Sequence, residues 1–159
     1  MTEPSSSPVL QALGLAAQAL FLSNPNPRVG CVITSGTGKV LGQGFTQQAG
    51  GPHAEVVALQ EARALGHSVE GAIAYVTLEP CSHHGRTGPC CDALIAAGIA
   101  KVVASLPDPN PLVSGQGFAR LRAAGVEVLV GDGAQESFEL NIGFFSRMVR
   151  KTPWVRMKM

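Results

Sequence analysis

Charge is what this chain has least of. Asp, Glu, Lys and Arg make up 14% of its 159 residues, against about a quarter in ordinary globular domains. Twelve basic residues face eleven acidic ones, leaving a formal net charge of +1. No Lys or Arg cluster interrupts that balance, which excludes the basic surface that nucleic-acid binding requires. No run of eighteen apolar residues exists, so no membrane-spanning helix is expected. The segment Met1–Pro8 lacks the basic flank of a signal peptide. It is acidic and rich in Ser and Pro, and reads as a disordered leader (residues 1–8) on a cytoplasmic protein. No internal repeat is visible. A chain that is 45% apolar with so few charges is expected to hide surface in a homodimer or larger assembly.

What is present is a regular alternation of segment types. Val9–Leu22 is rich in Ala and Leu and stops at the turn Asn24-Pro25-Asn26-Pro27, the pattern of a helix. Val29–Thr34 and Val40–Phe45 read as strands of an antiparallel hairpin joined through Ser35–Gly38. Pro52–Leu65 reads as a helix opened by Pro52 and closed by Gly66. Strand Ile73–Leu78, helix Cys90–Ala97, strand Lys101–Ser105, helix Gly115–Ala124, strand Val126–Val130 and helix Glu136–Arg150 follow. Alternation after the first hairpin implies right-handed crossovers and a mostly parallel arrangement within a five-stranded mixed sheet, with helices on both faces. Residues 9–150 form one domain on this reading. In such sheets ligands gather beyond the carboxyl ends of the strands. Glu79-Pro80-Cys81 and Pro107-Asp108-Pro109-Asn110 both lie there.

Three features stand in order along the chain: His53-Ala54-Glu55 at a helix start, Pro80-Cys81 after a strand, and Pro89-Cys90 opening a helix. Alone, a His-Ala-Glu run is only the start of a helix, and a lone cysteine is a small buried hydrophobe. Together they supply one imidazole and two thiolates. A structural zinc site takes four protein ligands, whereas three leave a position for water, as in catalytic zinc sites. The first turn of a helix favours Cys90 as thiolate. Two thiolates cancel the charge of Zn²⁺, so a nearby base must take the proton from water. Glu55 is placed to do so and to carry the proton to a leaving amine. That is the logic of the zinc deaminases, with their signature H-x-E…P-C-x-x-C. The ligand set favours zinc, one ion per chain, with iron as an alternative metal. Cys31, on a strand, is expected in the core, and Cys91 is expected to point away from the metal.

The two cysteines here are separated by eight residues rather than two. The extra loop contains Ser82, His83, His84 and Arg86. His83 and His84 are further nitrogen donors, but with three ligands in place the expected role of the loop is substrate contact. Arg86, flanked by Gly85 and Gly88, suits a phosphate through its guanidinium fork.

The runs TLEPCSHHGRTGPCCDALIAAGI, HAEV, NPRVGCVI and DPNP closely resemble the deaminase domain of the bifunctional riboflavin-biosynthesis deaminase–reductases. The resemblance covers the chain from about Val9 onward. It implies a cytidine-deaminase-like three-layer α/β/α fold. It also implies hydrolytic deamination of a phosphorylated pyrimidine, 2,5-diamino-6-(5-phosphoribosylamino)pyrimidin-4-one, to the corresponding uracil. His53, Cys81 and Cys90 match the family's zinc ligands, and Glu55 its catalytic glutamate. Asn26 matches a residue contacting the substrate ring; Ser82–Arg86 and Asp108–Asn110 match segments that hold the ring and the ribose phosphate. Where the family commonly has a His after the second strand, this chain has Thr46. Residues 151–159 resemble the opening of the family's reductase domain, or form a C-terminal tail. Two other readings compete: a zinc deaminase of a different base or nucleotide, of the cytosine or guanine type, and a zinc-stabilised module that has lost catalysis.

Overall fold

The computed structural model describes residues 7–85 and 88–159. Five strands, β1 (Gly30–Thr34), β2 (Val40–Phe45), β3 (Ile73–Val76), β4 (Lys101–Ala104) and β5 (Glu127–Val130), form one sheet in the spatial order β2-β1-β3-β4-β5. Strand β1 runs antiparallel to both β2 and β3, while β3, β4 and β5 are mutually parallel. The sheet is thus evenly mixed rather than mostly parallel. A tight hairpin joins β1 to β2, with Gly38 at φ +86°, and such a turn can only reverse the chain. The connections between β2, β3, β4 and β5 contain helices and return it in the same direction.

Helices α2 (Ala54–Ala64), α3 (Cys90–Ala96) and α4 (Gln116–Ala123) lie side by side on one face; α1 (Pro8–Gln18) and α5 (Ala134–Leu140) meet on the other. The strands serve both layers by alternation. Cys31, Ile33, Ala74, Val76, Val102 and Ala104 enter the larger core beneath α2–α4. Ile73, Tyr75 and Val103 point to the smaller one beneath α1, with Val9 and Leu13. Close approach depends on missing side chains. A Cβ on Gly44 would lie 2.6 Å from the Ala54 carbonyl oxygen, and one on Gly30 would collide with the Ala12 carbonyl. The glycines of β1 and β2 therefore let α1 and α2 settle onto the sheet, and α2 carries His53 and Glu55 at its start.

Several boundaries differ from those read in the sequence. Pro8 is the first residue of α1 rather than the end of a leader. Its missing N–H and fixed φ suit that position; residues 1–6 of the expected leader lie outside the described residues. Helix α1 stops at Gln18 and tightens into a 3₁₀ turn, Ala19–Phe21. Helix α2 opens at Ala54, not Pro52, because His53 is extended (ψ 166°) and serves as its N-cap. The expected single helix Glu136–Arg150 is in fact α5, then α6 (Ile142–Phe145), then a π-helical turn Ser146–Arg150. The break falls at Asn141, whose side chain bonds the backbone of a distant loop. Lys151–Met159 contains no helix or strand. No helix of the described residues is long and apolar enough to cross a membrane.

Candidate metal centre and active site

The sheet brings two loops together at one end. The loop after β3 contains Cys81, and Cys90 begins α3; the start of α2 faces them from across β1. The His53 Nδ1 lies 3.3 Å from the Cys90 Sγ and 3.6 Å from the Cys81 Sγ. The three ligand atoms all fall within 4.8 Å of one another. Ligands on a tetrahedral zinc, with Zn–S and Zn–N bonds of roughly 2.3 and 2.0–2.1 Å, are spaced by about 3.6 Å. The geometry and the donor chemistry fit that ion. The Cys90 N–H donates to the Cys81 Sγ at 3.3 Å, so the first turn of α3 favours negative charge on that sulfur.

The electrostatics point to the same conclusion. A hydrogen bond from the Cys90 thiol pulls Cys81 down to about 4, with His53 assisting. The same bond, together with burial, pushes Cys90 far up. Without a cation the two sulfurs share one proton; a dication lets both ionise. The Cys81 sulfur also raises His53. Glu55, buried in the first turn of α2, is pushed up to about 7, chiefly by desolvation. A carboxyl balanced near neutrality beside a metal cradle can both accept and return a proton.

Of these groups, His53, Glu55 and Cys81 line a cavity of about 600 Å³, within the range of small-molecule sites. Of the residues expected to contact substrate, Asn26, His83, Asp108 and Asn110 line it as well. Ser82 is half-buried and not among the lining residues; its carbonyl accepts from the Arg120 Nη1 at 3.1 Å. Arg86 lies outside the described residues. His84 is exposed. Cys91 points away from the cradle and donates to the carbonyls of Pro80 (3.2 Å) and Gly117 (3.5 Å). Burial pushes it up to about 12, which keeps it a thiol. Cys31 is fully buried in the core.

The supporting contacts were not legible in the sequence. Glu79, 7% exposed, accepts from the N–H groups of Asp108 (2.9 Å) and Gly115 (2.9 Å) on Oε2. Its Oε1 accepts from Gly117 (2.8 Å) and Phe118 (3.4 Å). One carboxylate thereby caps α4 and ties the Asp108 loop to the strand end that carries Cys81. Within that loop, Asp108 Oδ1 accepts from the Asn110 N–H at 2.8 Å, and Asn110 Oδ1 from Leu112 at 3.1 Å. Burial raises Asp108 above its usual value. Arg120 holds Asp92 of α3 through a two-point contact, 2.7 and 2.8 Å, beside its bond to Ser82. Asn141, 4% exposed, accepts from the Arg28 N–H at 2.7 Å and donates to the Arg28 carbonyl at 2.9 Å. That clasp fixes the loop bearing Asn26. Thr46 is buried, and its hydroxyl accepts from the Val29 N–H at 3.1 Å. Phe144, Arg147 and Met148 also line the cavity; no motif marks them, because they reach it only through the broken C-terminal helix.

The family described as the cytidine and deoxycytidylate deaminase zinc-binding region matches residues 4–106. The riboflavin biosynthesis protein RibD of Escherichia coli K12 is 54% identical over 149 residues, covering 94% of this chain and 40% of that protein. The diaminohydroxyphosphoribosylamino-pyrimidine deaminase of Buchnera aphidicola subsp. Schizaphis graminum is 46% identical over 138 residues, 87% of this chain and 91% of its own length. A Thermotoga maritima crystal structure superposes with a TM-score of 0.88 at 42% identity, over 92% of this chain and 42% of that one. That protein is described as a diaminohydroxyphosphoribosylaminopyrimidine deaminase and 5-amino-6-(5-phosphoribosylamino)uracil reductase. The chain therefore spans about two-fifths of the length of the RibD protein it matches.

Proposed function

The chain belongs to the cytidine and deoxycytidylate deaminase zinc-binding family, among the deaminases of riboflavin biosynthesis, and from that premise we propose its reaction. It hydrolyses 2,5-diamino-6-(5-phosphoribosylamino)pyrimidin-4(3H)-one to 5-amino-6-(5-phosphoribosylamino)uracil and ammonia. The observation that carries this reading is the convergence of the His53, Cys81 and Cys90 ligand atoms within 4.8 Å of one another, at a cavity that His53, Cys81 and the buried Glu55 line.

On this reading His53, Cys81 and Cys90 hold one zinc ion per chain. Zinc supplies a Lewis acid that makes water nucleophilic near neutral pH. Glu55 takes a proton from the attacking water and delivers it to the ring amine. The carbon–oxygen bond forms, the carbon–nitrogen bond breaks, and nitrogen departs as ammonia; Glu55 ends as it began. Because the carboxylate is fixed in the first turn of α2 and shielded from solvent, it works without reorganising water around itself.

Asn26, Asp108 and Asn110 face the pyrimidine and its ribose. The loop Ser82–Arg86 contributes His83 and Arg86 to the same substrate. The apolar residues Leu10, Leu20 and Phe21, 55%, 45% and 92% exposed at the two ends of the α1 segment, support a homodimer or larger assembly in the cytoplasm. Helix α3 does not add to that surface, since Cys91 and Leu94 are buried in its own core.

Ammonia release from the phosphoribosylated pyrimidine, with and without chelator, tests the assignment. Replacing Glu55 by Gln keeps zinc, by metal analysis, while turnover falls by about 10²–10⁴. Full zinc occupancy without turnover in the unmodified protein, or unimpaired turnover in the variant, overturns it.

A further inference from the structure

The eight residues between Cys81 and Cys90 leave one metal ligand and return to the next, so their loop is only as well placed as its two ends. His83 and Gly85 of that loop line the cavity. Among the described residues, the segment 82–85 makes one hydrogen bond, and its donor is Arg120 of α4. Arg120 does not itself line the cavity.

Helix α4 is brought to the loop by its first turn. The Glu79 carboxylate accepts from the N–H groups of Gly115, Gly117 and Phe118, and a Cβ on Gly117 would collide with the Pro80 carbonyl oxygen. Arg120 lies three positions beyond Gly117, on the same helix face, and so reaches the chain just past Cys81. Its guanidinium acts in two directions. Nε and Nη2 hold the two carboxylate oxygens of Asp92 at 2.7 and 2.8 Å, while Nη1 donates to the Ser82 carbonyl at 3.1 Å. Ser82 follows Cys81 directly, and Asp92 stands in the first turn of α3, two residues after Cys90. One rigid planar group thereby joins both ends of the loop. Lysine, a point charge on a flexible stem, has no such fork.

We propose that Arg120 is a positioning residue for substrate binding: by stapling the Ser82 carbonyl to Asp92, it sets the course of the loop that brings His83 to the cavity. The proposal rests on the deaminase reading above, in which that loop contacts the substrate. Its test compares the zinc-loaded protein with R120A, R120K, H83A and the double variant H83A/R120A. Ammonia release gives kcat and KM. Calorimetry gives the Kd of the deaminated product, 5-amino-6-(5-phosphoribosylamino)uracil, which needs no turnover.

In R120A the KM and the product Kd both rise about three- to tenfold, the weight of one net hydrogen bond, while kcat and zinc content hold. R120K recovers part of that loss. The melting temperature falls by less than about 4 °C, because a half-exposed ion pair contributes little. In the H83A background the R120A change costs less than it does alone, since the two residues act through one loop. Unchanged KM and Kd in R120A, or losses that simply multiply in the double variant, show that Arg120 only packs α3 against α4 and overturn the proposal. A fall in kcat and zinc content with KM unchanged overturns it too. Arg120-dependent product binding in a protein that releases no ammonia sustains the staple and sinks the deaminase reading instead; an unmodified protein with neither turnover nor product binding sinks both.

Discussion

Replacing Asn141 by Ala tests whether one buried amide sets both the stability of the C-terminal segment and the position of the Asn26 loop. The side chain is 4% exposed and makes three contacts. It accepts from the Arg28 N–H at 2.7 Å and donates to the carbonyls of Arg28 at 2.9 Å and Ser137 at 3.2 Å. Alanine removes all three. The Ser137 carbonyl retains the Asn141 backbone N–H at 3.2 Å, so its loss is slight. Each Arg28 group left without a partner costs about 1–3 kcal/mol, for a total of about 3 kcal/mol. For a domain of this size that lowers the melting temperature by roughly 6–12 °C. Asn141→Asp separates donor from acceptor. It keeps an oxygen for the Arg28 N–H but turns a second oxygen toward two carbonyls, so it recovers little of the loss. Calorimetric melting of the zinc-loaded protein reads the stability, and steady-state kinetics read the site, with KM rising more than kcat falls. A melting shift under 2 °C in the Ala variant, or full rescue by Asp, refutes the clasp.

Other expectations follow from the same contacts. Glu79→Gln puts an amide nitrogen where one carboxylate oxygen now accepts two N–H groups, a loss of about 2–3 kcal/mol. Denaturant melts should show it, along with a raised KM as the Asp108 loop loosens. Gly44→Ala pushes a methyl to 2.6 Å from the Ala54 carbonyl oxygen; the helix must retreat, lowering stability by about 1–3 kcal/mol and weakening zinc retention against a chromophoric chelator. Stripping the metal removes ammonia release and lowers the melting temperature, since binding to the folded state alone stabilises it by about 4 kcal/mol at a thousandfold excess over Kd; added zinc restores both. An unchanged melt after complete stripping contradicts a metal held by His53, Cys81 and Cys90.

The residues proposed to do the chemistry were readable in one dimension. His53, Glu55, Cys81 and Cys90 stand at the junctions where strands end and helices begin. Ligand chemistry restricts those positions to a few residue types, so the spacing alone carries information. The five strands and the hairpin were legible for a similar reason, since apolar periodicity and Gly and Pro punctuation are local properties. Tertiary structure decided what depends on contacts far apart in the chain. The clasp of Asn141 on Arg28 spans 113 residues, and it breaks a helix that local propensity would have continued. Glu79 looked like part of a cysteine motif, yet its carboxylate organises a loop some thirty residues later. Arg147 shows no sequence signal at all, because its place in the cavity follows from where that broken helix returns. The even split between antiparallel and parallel strand pairings likewise depended on which neighbours β1 acquired. The few charges of the chain gain meaning in the same way: Glu79, Arg120 and Arg147 are ordinary in the sequence, and folding alone gives each its partners.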